Sequence, residues 1–187
     1  MESINTSGSP AGTGNDFYKS RIDAICAFCR KSKANAAKLR RADIPGQSQD
    51  SWPILARFVD LTDERRLLAY EVVAAAISRS DDYVSGSLSL GKALQLALEV
   101  TSAQDLEDSQ KDARMRRLLA CGDLNEAAMV LRPVLSLIRS KVNRPLDYCQ
   151  LLEDLLAFSG PDWRAEKVRR KWANDFYSFD SSDKEDK

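Results

Sequence analysis

Four cysteines and no histidine set the limits of any chemistry this chain can do. Cys26 and Cys29 form a Cys-Ala-Phe-Cys pair, a spacing used by zinc sites and by redox dithiols. A structural zinc site wants a second pair of ligands. Cys121 and Cys149 stand alone, far apart in sequence. A redox dithiol sits at the turn from a strand into a helix, whereas Cys26 and Cys29 lie inside a helical pattern. The absence of histidine removes the commonest general base and the commonest metal ligand. The expectation is therefore no catalytic residue, no metal site and no cofactor, with the cysteines acting as buried or semi-buried structural thiols.

The other chemically suggestive stretch is KVRRKWANDFY, Lys167 to Tyr177. Cations beside aromatic rings can make a platform for nucleic acid. Here Val168, Trp172 and Phe176 recur every four residues, the spacing of one helix face, and are expected in the core. Arg164, Lys167, Arg170 and Lys171 fall on a different face. The segment reads as an amphipathic helix with a basic outer side.

That basic side fits a wider pattern. The chain carries 28 basic and 28 acidic residues, for a net charge of 0. The charges are segregated. From Lys19 to Arg41 eight cations face only Asp23, and Arg164 to Lys171 holds five cations against Glu166. Acidic residues collect between Glu99 and Asp112 and in the tail from Asp175 to Asp186. A neutral protein can thus present a basic surface to a polyanion.

The elements that position these charges are helical. Gly and Pro number 8 and 6, hydrophobic residues make up 43% and charged residues 30% of 187. This is enough apolar material for a core, in a composition rich in helix formers. Residues 1–15 read as a disordered Gly/Ser-rich arm, and 178–187 as an acidic disordered tail. Between them we expect an all-α fold of about eight or nine helices in two packed bundles, 16–100 and 108–177, split at the polar connector TSAQDLEDS.

The first helix is expected from about Asp16 to Ala42. Ser51, Thr62 and Ser89 are expected caps for the next three. Gly91 suits a close approach to a neighbour. Asp123 and Glu126 form a capping box, and Pro133 and Pro145 suit first turns of new helices. The longest apolar run, VVAAAI, is too short to span a membrane. The expected location is cytoplasmic.

Taken in order, AAKLRRA, SWPILARF, SLGKAL, RMRRLLACGDLNE, LRPVLSLIRS, PLDYCQLLEDLLAF and VRRKWANDFY resemble the small subunit of the type I-E CRISPR Cascade complex, the CasB family. The resemblance spans about Phe17 to Tyr177. The arm and the acidic tail depart from it. It implies an all-α, non-catalytic subunit of an RNA-guided surveillance complex. Its implied partners are the backbone and large subunits, a second copy of itself, single-stranded target and displaced DNA, and guide RNA indirectly. Sequence in such systems is read by base pairing, and the protein supplies charge and shape. Within the matching segments the candidate phosphate-binding residues are Lys38, Arg40, Arg41, Lys92, Arg114, Arg116, Arg117, Arg132, Arg139, Arg169 and Arg170. The competing reading is a helical scaffold that docks on other subunits and never touches nucleic acid.

Overall fold

The computed structural model describes residues 14–107 and 111–179. Among them are nine α-helices: α1 (Gly14–Lys31), α2 (Lys33–Leu39), α3 (Trp52–Leu55), α4 (Glu64–Arg79), α5 (Leu90–Ala97), α6 (Ala113–Leu119), α7 (Leu124–Lys141), α8 (Tyr148–Phe158) and α9 (Asp162–Tyr177). Short 3-10 turns occupy Ser48–Ser51 and Gln104–Leu106. The only extended pairing among the described residues is an isolated parallel bridge between Leu88 and Leu146. The all-α expectation holds. Most of the expected arm and tail, 1–13 and 180–187, lies outside the described residues. At the inner edges, Gly14 already opens α1, and Phe179 packs partly against the core.

α4 is the central element. Every residue from Ala69 to Ser78 is buried, because the segment is apolar around most of its circumference. It packs against α1, α2, α7 and α8. α5 packs chiefly against α9 and α7. The buried core includes residues from helices on both sides of the connector at 101–107.

Gly91 makes the α5–α9 contact possible. A Cβ built there would lie 2.4 Å from the Trp172 carbonyl oxygen and 2.7 Å from the Asp175 Cβ. Only glycine lets the backbones come this close. On the facing side, α9 buries Val168, Trp172 and Phe176, the stripe expected from its spacing, and Ala165 with them. Trp172 is fully buried.

Several helix ends differ from the sequence reading. The expected helix from Asp16 to Ala42 is broken at Ser32. That residue turns extended (φ −156°, ψ 124°), and its hydroxyl caps α2 by accepting from the Ala34 amide. Serine offers the backbone this alternative to continuing a helix. Ser51 does not cap α3; its hydroxyl donates to the Ser48 carbonyl oxygen at 2.6 Å. Asp63, not Thr62, caps α4, since Thr62 is itself held by the Asp60 carboxylate. Ser89 caps α5 as expected.

Pro133 lies inside α7 rather than at its start. The proline leaves the Met129 carbonyl without its usual donor. Met129 sits on the outer face, 73% exposed. Pro145 precedes α8, whose cap is Asp147. At α7 the Asp123 carboxylate accepts from the Glu126 amide at 2.9 Å. The Glu126 carboxylate reaches back to the Gly122 amide at 2.7 Å, one residue earlier than in the standard box.

Candidate nucleic-acid interface

Helices α2, α4 and α7 converge at their C-terminal ends, and each end carries an arginine. Arg40 is the C-cap of α2, Arg79 is the last residue of α4, and Arg139 lies in the last turn of α7. Helix C-termini hold unsatisfied carbonyls and a partial negative charge, so cations are favoured there. The arginines satisfy these carbonyls across helices. Arg40 Nε donates to the Ser78 carbonyl oxygen at 2.9 Å. Arg79 Nη2 donates to that of Arg40 at 2.5 Å, and Arg139 Nη1 to that of Arg79 at 3.2 Å.

Asp43 anchors the cluster. It is buried, and its two oxygens accept from Arg79 at 2.6 and 2.8 Å in a bidentate pair. Arg132 Nε comes within 3.4 Å of the same carboxylate without hydrogen-bond alignment. Two clefts open beside this anchor. One, of about 430 Å³, is bordered by Arg79, Arg132, Arg139 and Arg144. The other, of about 450 Å³, is bordered by Arg40, Arg79, Arg139 and Tyr83. Arg30 reaches the rim by donating to the Tyr83 carbonyl oxygen at 2.9 Å. Six arginines here face three aspartates, Asp43, Asp81 and Asp82. A guanidinium carries five donors, and the internal bonds use at most three on any of these. The rest are available to phosphate oxygens.

The sequence-derived candidates separate on this map. Arg40, Arg132 and Arg139 come together in the cluster. Arg30, Arg79 and Arg144 also belong to it and are not among those candidates, because none of the three lies in a resembling segment. A signal for Arg79 was present: it is the cation closing a long apolar helix. Lys38 is exposed at the end of α2. Arg41 turns away and pairs with Asp50 at 2.8 Å. Lys92 is half-buried on α5.

Arg114 and Arg117 border a separate groove between α6 and α7, with Met129, Val130 and Pro133. Arg116 pairs with Asp112 at 3.0 Å. Arg170 is exposed and pairs with Glu166 at 3.0 Å. Arg169 Nε and Nη2 donate to the Cys121 carbonyl oxygen at 3.2 and 2.7 Å, and the guanidinium lies 4.8 Å from the Phe158 ring centre. It ties the end of α6 to α9.

The thiols are placed for packing. Cys26 and Cys29 are free and buried on α1. Burial pushes both up to about 11, opposed by the Arg30 guanidinium at Cys26 and by those of Arg40 and Arg30 at Cys29. Near neutral pH the reactive thiolate is therefore scarce. The expected result is slow iodoacetamide labelling of both in the native protein at pH 7.5 and complete labelling after unfolding. Rapid native labelling would show a reactive dithiol. Among the described residues, no group of three or more cysteine, aspartate or glutamate side chains is arranged to hold a metal ion. No described helix is long and apolar enough to cross a membrane.

A family model for the CRISPR-associated protein Cse2 matches residues 35–177. The chain belongs to the Cse2 family. Solved structures share its fold. CasB from Thermobifida fusca aligns with a TM-score of 0.64 at 21% identity, over 88% of this chain and 97% of that one. CasB from M. ruber aligns with a TM-score of 0.62 at 26% identity, over 84% and 92%. A chain of a CRISPR RNA-guided surveillance complex aligns with a TM-score of 0.62 at 21% identity, over 87% and 90%. No curated protein sequence matches the chain. The Cse2 match runs from within α2 to the end of α9. It takes in the arginine cluster apart from Arg30.

Proposed function

We propose that this Cse2-family chain is a non-catalytic subunit of an RNA-guided CRISPR surveillance complex, the type I-E Cascade, in the cytoplasm. Its partners in this reading are the backbone and large subunits and a second copy of itself. Single-stranded target and displaced DNA are bound directly, and guide RNA is engaged indirectly. The observation that carries the reading is the arginine cluster at three converging helix ends, in a chain of this family. Four of its guanidiniums, those of Arg30, Arg40, Arg79 and Arg139, are held by backbone carbonyls, and Arg79 is held by Asp43 as well. The cluster offers charge without base-reading geometry, which suits a strand whose sequence is checked by the guide.

A second reading has its own observation. The groove of Arg114 and Arg117 beside exposed Met129 and Pro133 is apolar with a cationic rim. Such a surface suits a protein partner. In the scaffold version of this reading, the subunit docks through its basic faces and binds no DNA.

One measurement tests membership of the complex, and a second separates the readings. Co-expression with the neighbouring CRISPR subunits and guide RNA should yield a complex that retains this chain. The isolated chain should also bind single-stranded DNA of any sequence weakly. Engagement of about five phosphates gives a slope of log affinity against log salt of about −3.5, so a fourfold rise in salt weakens binding about a hundredfold. Affinity flat across that range, in a chain that still joins the complex, would establish the scaffold reading.

A further inference from the structure

The arginine cluster is not the only outward-facing constellation. α9 buries one stripe, and its opposite side carries Trp163, Lys167 and Arg170, all exposed. Trp163 lies nine residues before Trp172, two and a half helical turns, and so on the far side of the helix from the core stripe. It is 65% exposed, and the core makes no use of it. The Arg164 guanidinium sits 5.2 Å from its ring centre. Lys167 follows at i+4 and Arg170 at i+7, the spacing of one face. Among the described residues Lys167 has no hydrogen bond or ion pair. Glu166 is shared between Arg169 and Arg170, at 3.5 and 3.0 Å, and its charge is thereby offset.

The geometry points to a base-stacking site for single-stranded nucleic acid on the outer face of α9, with Trp163 as the platform and Arg164, Lys167 and Arg170 holding the flanking phosphates. The site rests on the proposed nucleic-acid function and adds a contact to bases that the arginine cluster does not supply. An aromatic ring accepts any base through its π-face, so the contact needs no sequence preference. The charge decides the occupant. An exposed tryptophan alone would suit a protein partner equally well. A tryptophan with three cations along about two turns of helix matches a chain that alternates flat bases with phosphates. The aromatic-basic character of the last helix is thus real, but it lies on Trp163, outside the aromatic stripe of Trp172 and Phe176.

The test compares an oligothymidylate with an abasic strand of the same length, each bound to the full chain. The wild type should prefer the base-bearing strand about tenfold. Trp163→Ala should abolish that preference while leaving the abasic affinity and the helical circular dichroism unchanged. Trp163→Phe should restore most of it. Lys167→Ala with Arg170→Ala should weaken both strands alike. If Trp163→Ala keeps the preference, the stacking site is overturned. It is equally overturned if the variant binds both strands normally and fails to join the complex, for Trp163 is then a protein-interface residue. Loss of all DNA binding on replacing the cleft arginines, with the preference unaffected by Trp163→Ala, would leave the proposed function standing and remove only this site.

Discussion

Trp172→Ala should lower the stability of the chain by about 3–5 kcal/mol, the range for truncating a large core aromatic. The ring is fully buried and stacks on Phe158, with centres 5.8 Å apart and planes 13° from parallel. Its indole N–H donates to Asp154 Oδ2 at 2.8 Å. Asp154 is itself buried, and Lys171 and Gln150 also donate to it, at 2.9 and 3.0 Å. Burial nonetheless holds its carboxyl above the usual carboxylate range, outweighing the three donors. Losing one of those donors leaves a poorly solvated acid short of a partner, which places the expected cost toward the upper end. The cavity would also open beneath α5, where Gly91 touches the Trp172 carbonyl. Trp172→Phe keeps the stack and loses only the indole bond, so it should cost about 1–3 kcal/mol. Urea unfolding of both variants against the wild type measures this. A loss below about 1 kcal/mol for the alanine variant would mean that the ring does not support the α5–α8–α9 junction.

The same residues show how far the sequence could be read. Trp172 and Phe176 were legible as core because a four-residue spacing on a helix has one meaning when both neighbouring faces are charged. Gly91 was legible as a contact point, but its partner was not, since nothing local in SLGKAL names α9. The breaks were harder. Ser32 and Pro133 are each compatible with continuing or ending a helix, and tertiary packing decides. At Ser32 the chain turns and caps a new helix. At Pro133 packing of Leu131, Val134 and Ile138 keeps the helix running across the proline.

The arginines were the least legible of all. Of the doubled arginines in KLRRA and RMRRLL, Arg41 pairs with Asp50 and Arg116 with Asp112. Arg144 joins the cleft from a segment with no distinguishing pattern, and Arg79 is marked only as the cation that closes a long apolar helix. A cluster assembled from three helix ends has no sequence signature, because its members lie about forty to sixty residues apart and meet only through the fold.

Replacing Arg132, Arg139 and Arg144 by alanine should leave the fold intact and shorten the life of the strand-separated state. Arg79 is kept in this variant because it holds buried Asp43 in a bidentate pair, and its loss would strand that charge. Arg132 approaches Asp43 only at 3.4 Å, and Arg139 makes a single bond to a carbonyl, so their removal perturbs the core little. On isolated single-stranded DNA the variant should lose about three phosphate contacts. The slope of log affinity against log salt then becomes shallower by about 2, at roughly 0.7 per contact. In the assembled complex the effect is amplified. Exchange of a DNA duplex for a guide–target duplex is nearly balanced, so contacts to strand backbones tip it. Charge-assisted bonds contribute about 1.5–3 kcal/mol each, and losing even two of them should shorten the target-bound lifetime a hundredfold or more. The matched control is Arg114→Ala with Arg117→Ala in the α6–α7 groove. It should spare the DNA slope and weaken incorporation into the complex instead. Target-bound lifetime and subunit stoichiometry, measured together for both variants, decide the matter. If the cleft variant assembles normally and holds its target as long as the wild type, the arginine cluster serves only to cap helices. If the two variants exchange phenotypes, the protein-facing and strand-facing surfaces are the reverse of those assigned here.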